Sequence, residues 1–266
     1  MAFYRPIAAQ GFRFSPAYTE LLPCAPLRPF VHSFWGNEGK AIQSGESSLV
    51  IPDTCMDLIF RINYASGEIQ SCFCAIDDAA YYTAPINAST PCATFGIRFF
   101  AWSAVAFCED SLQDCKSLIF PAQALFPSLC REIMPILPAL HTLAARAKFA
   151  ESILLRHIMP ERISPDTMNA LSSMVSSGGR LRVREIAQSL CLSERQLERL
   201  IRRDLGASPK LMAQLIRHQM IYRELLEGRF CAAEAVEHYG YADQSHLIRD
   251  FRRFHLLSPN EVLAGV

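Results

Sequence analysis

No run of the 266-residue chain reaches the ~18 unbroken apolar residues that a membrane helix needs, so no membrane span and no membrane partner are expected. The opening stretch MAFYRPIAAQ lacks an apolar core behind a basic head. No export signal is therefore expected, and the cytoplasm, where thiols stay reduced, is the expected compartment. The ten cysteines contain no C-x-x-C; Cys72-Phe-Cys74 is the only close pair. That spacing excludes a zinc ribbon and a thioredoxin motif. It leaves two readings for the thiols, small buried hydrophobes or a redox- or metal-sensing set. G-x-S-x-G, H-E-x-x-H, Walker and G-x-G-x-x-G patterns are missing as well. No enzyme, no cofactor and no metal site is expected.

Net charge is also missing, since 26 Lys and Arg balance 26 Asp and Glu. The balance hides an asymmetry. Residues 1–177 carry 12 basic and 15 acidic side chains, whereas residues 178–266 carry 14 basic and 11 acidic ones. Thirteen of those 14 bases are Arg, whose forked guanidinium suits phosphates and guanine edges. A net charge of only +3 for this half points to modest affinity as a monomer, and so to a dimer or tandem sites.

Residues 1–100 read as β. Leu58, Phe60 and Ile62 alternate with Asp57, Ile59 and Arg61; Ser66-Gly67 marks a hairpin turn, Glu68–Ile76 the return, and Cys92–Phe100 a further strand. Short strands punctuated by proline predict a compact sandwich or barrel. Leu137–Ile158 reads as an amphipathic helix with Leu140, Leu143, Ala147, Ala150 and Leu154 on one face, and Arg146, Glu151 and Arg156 elsewhere. It packs either on its own domain or on a second copy. Asp57 and Arg98 are charges inside apolar runs, read as a structural pair or, for Arg98, as an effector contact. Pro160 and Pro165 bracket the boundary, giving domains 1–160 and 161–266. Beyond it the texture is helical, with Gly178-Gly179, Gly206, Gly228 and Gly240 where helices should stop.

Within the second domain, Val183, Ile186, Ala187 and Leu190 form one helix face, Cys191-Leu192 a turn, Ser193 an N-cap, and Leu197, Leu200 and Ile201 the buried face of the next helix. This is the pattern of a helix-turn-helix. Arg195, Gln196, Glu198, Arg199, Arg202 and Arg203 form its exposed side. About 50 residues on, Ala232–Tyr239, Gly240-Tyr241-Ala242 and the N-cap Asp243 repeat it. Leu205-Gly206-Ala207-Ser208-Pro209 closes the first unit and Leu256-Leu257-Ser258-Pro259 the second. Pro209–Glu227 between them would span ~28 Å as a helix, against ~34 Å between successive major grooves on one face of DNA.

From about Ile163 to Val262 the chain resembles the AraC/XylS family of bacterial transcription regulators. The resemblance rests on Ile186-Ala187, Ser193, Leu197, Arg199-Leu200, Gly206, Ser208-Pro209, Arg217, Gly240-Tyr241, Asp243-Gln244-Ser245-His246, Arg249, Phe251 and Ser258-Pro259. It implies two helix-turn-helix units on a connecting helix. As base readers it implies Arg195, Gln196, Glu198 and Arg199 in the first unit, and Gln244, Ser245, His246, Ile248 and Arg249 in the second. Cys191 stands where the family has Gly, at ~1 kcal/mol if its backbone is left-handed. Val236 replaces a small residue, and Leu256 stands where Gly precedes Ser-Pro. Leu27–Val31, Ile51-Pro52-Asp53, Cys55–Leu58 and Phe95–Phe99 resemble, more faintly, β-rich domains of unassigned ligand that precede this module in some members.

The expectation is an α+β protein: a β-rich barrel- or sandwich-like sensor domain with helices, then an all-α domain of two helix-turn-helix units joined by a long helix. Its function is sequence-specific regulation of transcription, with double-stranded DNA as partner. RNA polymerase, a small-molecule effector and a second copy are the further partners considered. Arg182, Arg202, Arg203, Lys210, Arg252 and Arg253 are expected on phosphates. The competing reading is a helical protein–protein interaction module that binds no DNA.

Overall fold

The computed structural model describes residues 4–8, 18–38, 47, 49–83 and 92–264. Its strands are β1 (Thr19–Leu21), β2 (Val31–Gly36), β3 (Leu49–Val50), β4 (Cys55–Asn63), β5 (Ile69–Cys74), β6 (Tyr81–Tyr82), β7 (Cys92–Phe100) and β8 (Ile119–Pro121). Helices α1 (Pro127–Ile133) and α2 (Leu143–His157) follow. Then come α3 (Pro165–Ser176), α4 (Val183–Ser189), α5 (Glu194–Leu205), α6 (Pro209–Leu226), α7 (Ala232–His238), α8 (Gln244–His255) and α9 (Pro259–Ala264).

The β-rich half is as expected, but it does not close into a barrel. Six strands form one sheet in the order β1-β2-β7-β4-β5-β8, and β3 pairs only with β6. The two edges are strands of three residues, and β8 ends in Pro121, which has no N–H for a further ladder. One sheet face makes the core. Met56, Leu58, Phe60 and Ile62 of β4 and Ala93, Phe95, Ile97 and Phe99 of β7 are wholly buried on it. The register Leu58↔Ile97 and Phe60↔Phe95 keeps alternate positions on that face. Phe73 meets Phe126 at 4.8 Å between ring centroids, and Phe99 meets Phe107 at the same distance.

The other face carries the polar alternates. Trp35 lies over Gly96, where any added Cβ would come within 2.2 Å of the indole. Its Nε1 donates to the Asp57 carboxylate at 2.7 Å. Arg98 therefore takes Asp53 as its direct partner, with Asp57 at 3.9 Å. The embedded charges are paired, through an aspartate that the alternation did not single out. Burial pushes the Asp57 carboxyl up to about 7.

Two details of the helical segment differ from expectation. Leu140 is extended, so Leu137–Ala139 is a short 3-10 turn and α2 starts only at Leu143, where Thr142 accepts from the Ala145 amide. Arg146 does not face water. It is fully buried and donates to the Leu140 and Asn37 carbonyls, both at 2.8 Å, and to the Tyr64 hydroxyl. A buried guanidinium is tolerable because its donors are met by oxygens.

A single apolar cluster runs from the sheet through Leu171, Met174, Ile186, Leu197 and Ile201 to Leu215 and Ile216 of α6. The far half of α6 belongs to a second cluster with Tyr239, Leu247 and Phe251, which also takes Ile51 and Ala80 from the β-rich half. Among the described residues, no helix is long and apolar enough to cross a membrane.

Candidate nucleic-acid interface

The two helix-turn-helix units start and turn alike. Glu185 of α4 reaches back to accept from the Arg182 amide at 2.6 Å, and Glu234 of α7 accepts from the Cys231 amide at 2.7 Å. Each first helix then closes with a six-residue bond, Leu192 N–H to Ala187 C=O and Tyr241 N–H to Val236 C=O, both 2.9 Å. That closure needs a left-handed residue. Gly240 supplies it at φ +68°, and Cys191 supplies it at +54° without the freedom of glycine. The second turn is one residue longer, with Asp243 rather than Ala242 as N-cap.

The second helix of each unit is capped as the sequence implies. Ser193 accepts from the Gln196 amide at 3.3 Å, and Asp243 accepts from the His246 amide at 2.7 Å. Both end left-handed, at Gly206 (φ +69°) and Leu256 (φ +59°). Gly206 is doubly constrained, since an added Cβ would approach the Leu112 carbonyl to 2.5 Å. Ser208 and Ser258 then cap α6 and α9. In this frame Arg199, Arg202 and Arg203 of α5 stand at the positions of Arg249, Arg252 and Arg253 of α8, 50 residues on. Leu197 and Ile201 face inward as Leu247 and Phe251 do.

Arg195, Arg199, Gln244, Ser245, Arg249 and Arg252 are exposed. Four others are engaged within their own unit. The Gln196 side chain accepts from the Ser193 amide and hydroxyl, both at 2.8 Å. Glu198 pairs with Arg202 at 2.7 Å and Arg203 with Asp204 at 2.6 Å. His246 is half-buried, edge-on to Tyr241 at 4.9 Å, and Ile248 is half-buried too. Arg182 and Lys210 are exposed at the mouths of α4 and α6.

Arg253 is held by the β-rich half. Its Nε donates to the Asp78 carbonyl at 2.8 Å, its guanidinium lies 3.6 Å from the Asp78 carboxylate, and its own carbonyl accepts from the Ala80 amide at 2.9 Å. Lys116 pairs with the same carboxylate and holds it below the usual range. Asp78 carried no signal in the sequence, because 175 residues separate it from Arg253. A second residue group, the brace of the second unit, was only half legible. Arg217 of α6 stacks over Tyr241 at 4.3 Å and pairs with Asp250 at 3.3 Å, and Tyr241 donates to Asp250 at 2.9 Å. Arg217 stood among the residues carrying the resemblance, but nothing local named Asp250 as its partner.

Two capped turns of this construction on one 18-residue connecting helix define a paired helix-turn-helix domain. The family model described as "Helix-turn-helix domain" matches residues 186–265, and that described as "Domain of unknown function (DUF6597)" matches residues 19–118. The chain carries an AraC-type helix-turn-helix domain at its carboxyl end, behind a DUF6597 domain. No curated protein matches it. Among solved structures it is similar to ToxT from Vibrio cholerae strain SCE256 with unsaturated fatty acid bound, at 12% identity and TM-score 0.43, over 84% of this chain and 94% of that one. ToxT from Vibrio cholerae O395 bound to (E)-4-(8-methylnaphthalen-1-yl)but-3-enoic acid is similar at 12% identity and TM-score 0.41, over 83% and 96%.

Proposed function

We propose that the chain is a sequence-specific, cytoplasmic transcription regulator, not an enzyme, that sets α5 and α8 into adjacent major grooves of double-stranded DNA. The observation that carries this reading is the repeat of exposed arginines at one spacing on two equally capped helices, joined by α6, whose 18 residues span ~27 Å. Arg195, Gln196, Glu198 and Arg199, with Gln244, Ser245, His246, Ile248 and Arg249, read bases. Arg182, Arg202, Arg203, Lys210, Arg252 and Arg253 hold phosphates. Arg199 and Arg249 lead the readers, because they are exposed and make no ion pair among the described residues. Residues 1–160 form the controlling domain, which takes a small-molecule effector and presents or withholds the reading helices of residues 161–266. RNA polymerase and a second copy are its further partners.

Selection of genome fragments by the purified chain, followed by salt titration of the best fragment, tests this. A motif of two blocks about one helical turn apart, with affinity falling steeply as salt rises, is expected from phosphate contacts that release counterions. A folded protein that enriches no fragment, or binds one without salt dependence, overturns it in favour of a protein–protein module.

A further inference from the structure

The β-rich half touches both helix-turn-helix units, and one loop, residues 112–118 leading into β8, stands behind both contacts. At its start the loop receives the end of α5. A Cβ on Gly206 would meet the Leu112 carbonyl at 2.5 Å and the Cys115 Cβ at 3.4 Å. Leu112 is wholly buried there and Cys115 nearly so. At its end the loop fixes the segment that receives α8. The Ser117 amide donates to the Ile76 carbonyl at 2.8 Å, and its hydroxyl donates to the Asp78 carboxylate at 3.1 Å while accepting from the Asp78 amide at 3.2 Å. Lys116 pairs with the other oxygen of that carboxylate. Two residues on, the Ala80 amide donates to the Arg253 carbonyl at 2.9 Å, and Ala80 is buried in the apolar cluster of the second unit. Asp114 and Ser117 are left-handed without being glycine, at φ +62° and +54°. Such a backbone persists only where its surroundings over-determine it, so the loop is a stiff link.

We propose that residues 112–118, with Asp78 and Ala80, form a spacing gauge that fixes α8 against α5 and so sets which separation of two DNA blocks the chain accepts. The proposal rests on the two-groove reading above. The connecting helix alone leaves some freedom, because each unit packs on its own end of α6: Leu215 and Ile216 with the first, Tyr222 and Leu225 with the second. A second link between the units, through the β-rich half, resists rocking about those ends. One added base pair turns the second block by about 35° and moves it ~3.4 Å along the duplex. A braced pair of helices rejects that change, and a loosened pair tolerates it. Asp78, Lys116 and Ser117 are then positioning residues, which determine specificity without a contact to DNA.

The test measures affinity of the full chain for fragments that carry both selected blocks, with one or two base pairs inserted or removed between them. Two variants are compared with the parent. Ala80→Pro removes the donor to Arg253, and the double variant Lys116→Ala/Ser117→Ala unties Asp78 from the loop. The parent is expected to prefer one separation. Each variant is expected to lower the penalty for one base pair more or fewer by about 1.5- to 5-fold, the worth of a partly solvated ion pair or hydrogen bond, with base preference inside each block unchanged. A parent that needs both blocks at one separation, with folded variants of the same spacing profile, overturns the gauge alone. A parent that needs only one block overturns the two-groove reading and the gauge with it. Should Ala80→Pro fail to fold, the double variant decides by the same comparison.

Discussion

Replacing Asp78 with Ala should tighten DNA binding, although Asp78 lies on neither reading helix. In the structure its carboxylate and carbonyl both hold Arg253, which is proposed to hold a phosphate and corresponds to Arg203 of α5. The contact is partly solvated, with the Arg253 side chain 42% and the Asp78 side chain 30% accessible, so its ion pair is worth about 0.2–1 kcal/mol. The Nε bond to the Asp78 carbonyl survives the substitution, so release is partial and affinity rises at most about fivefold. One further phosphate neutralised by Arg253 steepens the log–log salt dependence by ~0.9. Fluorescence anisotropy on the selected fragment, from low to moderate salt, reads both quantities. The decisive comparison is Arg253→Ala in the two backgrounds, which should cost more affinity when Asp78 is absent. Equal cost in both, with an unchanged salt slope for Asp78→Ala, refutes the idea that the β-rich half withholds this arginine.

Arg199→Ala should cost ~1–3 kcal/mol and relax preference at one base pair, whereas Arg252→Ala should weaken binding uniformly and lower the salt slope; binding-site selection with each variant separates the two. Cys191→Gly should stabilise the first unit by about 1 kcal/mol, since it removes a left-handed non-glycine residue, and thermal unfolding measures it. Acid should loosen the second unit. Burial brings His255 down to about 4 and holds His218 well below its ordinary range, so the unfolded chain binds more protons than the folded one below pH ~6.5. Stability is then lost as pH falls through 6.5 toward 4, by about 2 kcal/mol at pH 5 from His255 alone, and His255→Phe should flatten that part of a denaturation–pH series.

The carboxyl-terminal domain was legible because its signals are local. Ser193 and Asp243 cap within three residues, and inward positions recur at helical spacing. Even the odd residues Cys191 and Leu256 declared themselves by standing where a left-handed backbone was needed. The sheet was legible strand by strand, since β4 and β7 alternate or run apolar, but not as an assembly. Whether β1 meets β8 depends on edges about 100 residues apart, and short edges with a terminal proline left the sheet open. Arg146 misled because a charge at a helical position reads as solvated, whereas carbonyls from Asn37 and Leu140 converge on it only in the fold. Asp53 was not singled out as the partner of Arg98 for the same reason. It precedes β4 and meets Arg98 only when β7 is laid alongside. Asp78 and Asp250 show the limit most plainly for the interface, since each is read only through a partner far along the chain.

We propose above that one chain reads two successive grooves with α5 and α8. Hydroxyl-radical footprinting on the selected fragment is the decisive measurement. Two protected patches are expected on one face of the duplex, ~10–10.5 base pairs apart, with Arg199→Ala weakening one patch first and Arg249→Ala the other. A single protected patch, or two patches that respond identically to both substitutions, would contradict it.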